Sequence, residues 1–189
     1  MKIDMIEKLK KSLSEKRFIH SLGVRDEAVK MAKKFGADEE KAYIAGLCHD
    51  CAKGLKINEQ IELCKKYGID LDENLMSCTP VIHAPLGAEA AKREYGISDT
   101  EILDAIRKHT TGSKYMTLLD KIIYVADMTE PNRDFDGVEI LRRYAEENID
   151  KAYLECLKQS VMFNVKANKF IHPDTLAAYN EMTKNSPYD

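Results

Sequence analysis

No stretch of these 189 residues reaches the roughly 20 uninterrupted apolar positions that a membrane-spanning helix needs. The first residues, MKIDMIEKLKKSLSEK, have charges but no apolar segment after them, so they do not read as a secretory leader. Excess positive charge is missing as well: 29 Lys and Arg stand against 32 Asp and Glu, for a net charge of -3. Without a global basic field a nucleic acid polymer is not an expected partner, and any phosphate-binding charge must be local. Cysteine is sparse and odd in number, five at positions 48, 51, 64, 78 and 156, which is no disulfide framework and points to a reducing compartment, the cytoplasm. Cys48-x-x-Cys51 lacks both the βαβ setting of a redox motif and the second cysteine pair of a zinc site, so it reads as core. Period-two alternation is hard to find, and there are no repeats, linkers or low-complexity tracts.

What the chain does have is apolar residues at helical spacing nearly throughout, which predicts an all-α fold. Its length fits a single domain spanning 1–189, able to bury roughly 70% of its unfolded surface. The expected helices cover about 3–12, then 15–35 with Ser14 as N-cap and Gly36 at the end, then Asp38-capped to about Ala52 with Gly54 closing it. Asn58 is expected to cap a short helix stopping at Gly68, and 69–79 to be irregular apart from one turn. His83, two residues before Pro85, falls at the start of a helix ending at Gly96, and Ser98 with Glu101 reads as a capping box for a helix carrying His109 at its C-terminal end. Helices near 117–129, 137–147 and 149–169 and one after Pro173 complete the prediction; the 149–169 helix could pack inward or against a second subunit as a homodimer.

The chemistry concentrates in six positions: His20, His49, Asp50, His83, His109 and Asp127. Four of the five histidines lie near helix ends or on an interior face, which is how a helical bundle assembles a metal site from distant segments. Imidazole nitrogens and carboxylate oxygens suit iron, manganese or zinc, and a carboxylate can bridge two ions where an imidazole cannot. Asp50 is the natural bridge. His172, beside Pro173, does not fit the pattern and reads as a turn or ligand-contacting residue.

The order His20, His49-Asp50, His83, His109, Asp127 resembles the HD-domain superfamily of metal-dependent phosphohydrolases in its form with two additional histidines. More closely, LCHDCAKGL, VIHAPLGAEAA, IRKHTTG and DKIIYVADMTEPNRDFDGV resemble the blocks of the YqeK-type symmetrical diadenosine tetraphosphate hydrolases, over about residues 15–180. The His-Thr-Thr-Gly and Ala-Asp-x-x-Glu-Pro-x-Arg blocks carry most of that likeness.

The resemblance implies an HD-domain helical bundle, with one or two iron ions or another divalent metal such as manganese, that cuts diadenosine tetraphosphate into two ADP by attack of metal-activated water. It carries the core metal ligands onto His20, His49, Asp50 and Asp127, with His83 and His109 completing a second metal site or binding phosphate. Asp50, His83 and His109 would be catalytic. A small dinucleoside polyphosphate or nucleotide would be held by Arg17, Lys53, Gly54, Thr110, Thr111 and Arg133, with His20, His83, His109 and Asp127 also in reach. The base would lie on the 169–175 segment, through Phe170, His172 and Thr175. A di-iron oxygenase using the same ligand order, a mononucleotide phosphatase and a nucleotide-binding sensor are the competing readings.

Overall fold

The computed structural model describes residues 2–184, and among them it has helices, one 3-10 turn and no strand. The helices are α1 (Lys2–Ser12), α2 (Glu15–Phe35), α3 (Glu39–Cys48), α4 (Ile57–Tyr67), α5 (Glu73–Ser77), α6 (His83–Tyr95), α7 (Thr100–Lys108), α8 (Leu118–Thr129), α9 (Val138–Glu147), α10 (Ile149–Lys166) and α11 (Pro173–Lys184). The 3-10 turn, Thr79–Val81, leads directly into α6. The expected all-α class is the observed one.

Local chemistry sets most boundaries. The Ser14 hydroxyl accepts the Arg17 N–H, Asp38 accepts from Glu40 and Lys41, and Gly36 closes α2 in the left-handed conformation with φ 78°. Four predicted boundaries need correction. First, α3 ends at Cys48, not near Ala52. The His49 ring nitrogen Nδ1 lies 2.7 Å from the Gly46 carbonyl, the acceptor that the Asp50 N–H would need to continue the helix. Residues 49–54 instead form turns, with Cys51 N–H on the Cys48 carbonyl and Lys53 N–H on that of Asp50. Second, Asp99 and not Ser98 caps α7, accepting from the Glu101 and Ile102 N–H groups, while the Glu101 carboxylate pairs with Lys41. Third, α4 starts after Lys56, whose N–H is taken by the Glu59 carboxylate, leaving Asn58 inside the helix. The 149–169 helix also stops early, at Lys166, because Asn168 turns to φ 51° and the Lys169 N–H closes on the Asn164 carbonyl.

Helices α2, α3, α7 and α8 pack on one another as the centre of the bundle, with α6 against α7, α4 against α6, and α10 against α8, α9 and α11. Leu47, Ile106, Ile122, Ile123, Tyr124, Tyr153 and Leu157 are fully buried between them. Each such side chain contributes on the order of 1.5–3 kcal/mol by leaving water. Helix α3 is buried on nearly every side, from Ala42 through Ile44 to Cys48, so the residues that follow it emerge in the interior. The α2–α3 contact depends on Gly46: a Cβ there would stand 2.9 Å from the Cα of Arg25.

Gly46→Ala should therefore destabilise the protein by about 1–3 kcal/mol through overpacking, even though alanine is the better helix former by about 1 kcal/mol. Urea denaturation followed by circular dichroism measures this, and a stabilised variant would show that the two helices can part without cost.

Candidate metal centre

Five elements deliver the polar cluster. His20 comes from the second turn of α2, His49 and Asp50 from the end of α3, His83 from the first residue of α6, His109 from the C-terminal end of α7, and Asp127 from the last turn of α8. All four imidazoles and Asp50 are buried. Their placement has a common local cause. His49 and His109 each turn Nδ1 onto the carbonyl three residues back, Gly46 and Ile106, at 2.7 Å, and His83 does the same to Pro80 at 2.7 Å. A helix end leaves such carbonyls without amide partners, so a histidine at that position satisfies one and is oriented by it.

A carbonyl oxygen can only accept, so Nδ1 of His49 and His109 carries a hydrogen, and in the neutral ring Nε2 presents a lone pair; at His83, Nδ1 meets both the Pro80 carbonyl and the Lys53 amine. In His20 the Nδ1 hydrogen goes to the Glu130 carboxylate at 3.1 Å. The four Nε2 atoms then meet in two pairs, His20 with His49 and His83 with His109, each 3.2 Å apart. Lone pairs that close repel unless a proton or cation lies between them. Carboxylate oxygens complete both groups. Asp50 Oδ1 is 3.0 Å from His83 Nε2 and 3.5 Å from His109 Nε2. Its other oxygen, Oδ2, is 3.5 Å from His49 Nε2 and 3.8 Å from His20 Nε2, and Asp127 Oδ1 is 3.0 Å from His20 Nε2. Donor atoms of His20, His49 and Asp50, of His49, His109 and Asp127, and of Asp50, His83 and His109 each cluster within 4.8 Å. Nitrogen and oxygen donors in this number and spacing fit a divalent metal ion.

The electrostatics agree. Burial opposes ionisation of Asp50, yet the His49, His109 and His83 imidazoles hold its carboxyl well below the ordinary carboxylate range. Asp127 is likewise held far below that range against burial, by His20 and Arg133. Burial pulls His83 down to about 4, despite Asp50. His49 is raised, because Asp50 and Asp127 outweigh its burial. The two carboxylates are thus held ionised and His83 neutral, while His49 is biased toward its charged form.

Three cations rim this cluster. Arg17 reaches Asp50 Oδ2 at 2.6 Å, and Arg133 clamps Asp127 through its Oδ1 at 2.5 Å and its carbonyl at 2.6 Å. Lys53 donates to the Pro80 carbonyl at 3.1 Å and stands 2.9 Å from His83 Nδ1; burial lowers its pKa. A cleft of about 340 Å³ opens over Asp50, His83, His109 and Asp127 between these three side chains. It shares Thr110, Met128, Phe135 and Ser160 with a neighbouring cavity of about 410 Å³, lined by Phe163, Phe170, His172 and Thr175 among others. A larger cavity of about 590 Å³, bounded by Tyr115, Met116 and Met182, lies beyond the His109–Gly112 loop and includes none of the four histidines, so volume alone does not mark the site.

The expected site residues fall into this frame unevenly. Arg17, Lys53, His83, His109, Thr110, Asp127 and Arg133 line the cleft, and Thr110, Thr111, Phe170, His172 and Thr175 line the cavity. The buried Thr110 hydroxyl has no partner, whereas that of Thr111 donates to the Gly112 carbonyl. His20 lines neither space, both ring nitrogens being engaged inside the cluster. Gly54 lines neither as well: it packs on the end of α1, where a Cβ would collide with the Ser12 carbonyl oxygen, and its left-handed capping role is absent. Sequence reading assigned nothing to Glu130, although the residue stands inside the Ala-Asp-x-x-Glu-Pro-x-Arg block.

The HD domain family model matches residues 17–132. A symmetrical bis(5'-nucleosyl)-tetraphosphatase from Bacillus subtilis (strain 168) is 41% identical over 94% of this chain and 95% of its own length. A protein of the same description from Staphylococcus aureus is 34% identical over 95% and 94%. Among solved structures, a predicted HD superfamily hydrolase involved in NAD metabolism from Clostridium acetobutylicum superposes with a TM-score of 0.95 at 40% identity, covering 98% of each chain.

For chelated, metal-free protein the histidines set a pH dependence. His83 titrates near 4 when folded and 6.5 when unfolded, so the unfolded chain binds the extra proton between those values. Stability should fall as pH drops from 6.5 to 4, by about 3 kcal/mol at the limit. His49, shifted upward, acts with the opposite sign above pH 6.5, where its contribution is lost as pH rises. Thermal melts across pH 4–8 should peak between these flanks, and His83→Gln should flatten the acid one; an unchanged acid flank would remove His83 as its cause.

Proposed function

This chain belongs to the HD-domain family and, within it, to the symmetrical bis(5'-nucleosyl)-tetraphosphatases, and we infer that it hydrolyses diadenosine tetraphosphate with one water to two molecules of ADP. The observation that carries the reading is the sharing of one buried carboxylate, Asp50, between two imidazole pairs, directly beneath three cationic side chains and beside an apolar cavity. His20, His49, Asp50 and Asp127 would hold one divalent ion, and His83 and His109, with the second oxygen of Asp50, another. Iron fits this intermediate nitrogen and oxygen donor set, with manganese the nearest substitute. Such an ion would supply Lewis acidity, lowering the pKa of water toward neutrality and offsetting phosphoryl charge.

The chain's own groups account for the rest. Arg17, Lys53 and Arg133 neutralise the polyphosphate, and their partial burial strengthens each contact. Because Arg17 and Arg133 are already fixed on Asp50 and Asp127, they meet the substrate with little further loss of side-chain freedom. The unpartnered Thr110 hydroxyl is placed to donate to a phosphoryl oxygen at the junction of cleft and cavity. Asp50 can orient the attacking water.

The nucleoside belongs in the cavity with Phe163 and Phe170, where a base can stack. The Asp174 N–H donates to His172 Nδ1 at 3.2 Å, which leaves the hydrogen of a neutral ring on Nε2, a buried donor with no protein partner. A purine ring nitrogen can accept it. The five free cysteines support the cytoplasm as the compartment.

Product analysis tests the reaction. Anaerobically prepared, iron-loaded protein incubated with diadenosine tetraphosphate should release ADP alone; AMP with ATP would mean an asymmetric cut and overturn the reading. Asp50→Ala should lose bound metal and turnover together while helix content stays nearly constant, and retention of both would remove Asp50 from the centre. Lys53→Ala should keep its metal but lose about 10–100-fold in kcat/KM, the equivalent of one hydrogen bond to a charged group. Unchanged kinetics would return Lys53 to a merely structural role.

A further inference from the structure

One of the four imidazoles is held differently from the rest. His49, His83 and His109 turn Nδ1 to backbone carbonyls, whereas His20 turns it to the carboxylate of Glu130 at 3.1 Å. Glu130 is 1% exposed. Its second oxygen accepts both the backbone N–H of Asn132, at 2.7 Å, and the Asn132 amide, at 2.9 Å. Both oxygens are therefore fixed. The backbone around it is fixed too: Arg142 donates to the carbonyls of Thr129, Glu130 and Arg133 at 2.8–3.0 Å. On the facing helix α2, Gly23 leaves the space that Glu130 fills, since a Cβ there would stand 2.5 Å from Glu130 Oε2.

We propose that Glu130 is a positioning residue for the metal centre, seated by Arg142 and by the gap at Gly23, and that it makes His20 the strongest nitrogen donor of the set. The physical reason is direct. A carboxylate on Nδ1–H fixes the ring tautomer and orientation and raises the basicity of Nε2 more than a neutral carbonyl does. It also places a third negative charge on the side of the cluster that already holds Asp127 and one oxygen of Asp50. Glu130 touches neither cleft nor cavity, so it acts through His20 and not on substrate.

The proposal rests on the metal-centre reading above, and the test separates the two. Binding of Mn(II) alone to chelator-stripped protein is followed by the electron paramagnetic resonance signal of free Mn(II). Glu130→Ala should weaken binding by about 10–100-fold, with helical circular dichroism unchanged. Glu130→Gln should fall between Ala and wild type, because one amide oxygen can serve His20 or Asn132 but not both. Gly23→Ala is the independent arm. It adds a favourable helix residue while displacing the carboxylate, so Mn(II) affinity should drop without loss of helix, and it decides the matter if Glu130→Ala fails to fold. Wild-type Mn(II) affinity in the Glu130 and Gly23 variants, with binding lost in His20→Ala, would overturn the role of Glu130 and leave the centre intact. Wild-type affinity in His20→Ala would remove the centre and this proposal together.

Discussion

The arrangement of this protein turns on the approach of four imidazole nitrogens to one buried carboxylate. Two buried Nε2–Nε2 separations of 3.2 Å are unfavourable for neutral rings alone, and the surrounding chain is organised to hold them there. The Nδ1 atoms are turned to three backbone carbonyls and Glu130, the Nε2 atoms are turned inward, and Asp50 offers an oxygen to each pair. Helix α3 is apolar on nearly all sides, and this is why the His49-Asp50 pair can emerge in the middle of the bundle and not at its surface.

The same arrangement divides labour between charge and shape. Arg17 and Arg133 compensate the two carboxylates, and both also face the cleft, so the cations that stabilise the unliganded cluster are those a polyphosphate would meet. The adjoining cavity has aromatic surface and an oriented donor in His172. Thr110 stands at the boundary of the two spaces, so on the proposed reading the loop after α7 would join phosphate recognition to base recognition.

Much of this was legible in the sequence. Period-3.6 patterning and Ser, Asp and Gly caps marked most helices, and the six candidate ligand positions could be named because they lie near helix ends or, like His20, on an interior helix face. What escaped has particular causes. Helix α3 ends earlier than its apolar pattern predicts because a side chain, His49, takes the carbonyl that would have extended the helix, a competition no propensity scale contains. Ser98 and Glu101 have capping-box spacing, yet the cap is Asp99, one residue on, and the sequence pattern does not distinguish the two registers. Gly54 read as a helix stop, but its lack of a side chain serves contact with α1, a tertiary fact. Glu130 lay in full view within its block, yet nothing local tells that a carboxylate three residues after Asp127 returns to a histidine on α2, 110 positions away.

The histidine pairs also have a topological meaning. His20 and His49 are 29 residues apart, His83 and His109 are 26 apart, and Asp50 stands between both pairs. A cation gripped by such a set closes long loops of the unfolded chain, much as a crosslink does, and favours the folded state in proportion to the logarithm of its concentration over its dissociation constant. A bound divalent ion would thereby stabilise the fold as well as supply chemistry, since its removal would also undo a clasp across α2, α3, α6 and α7.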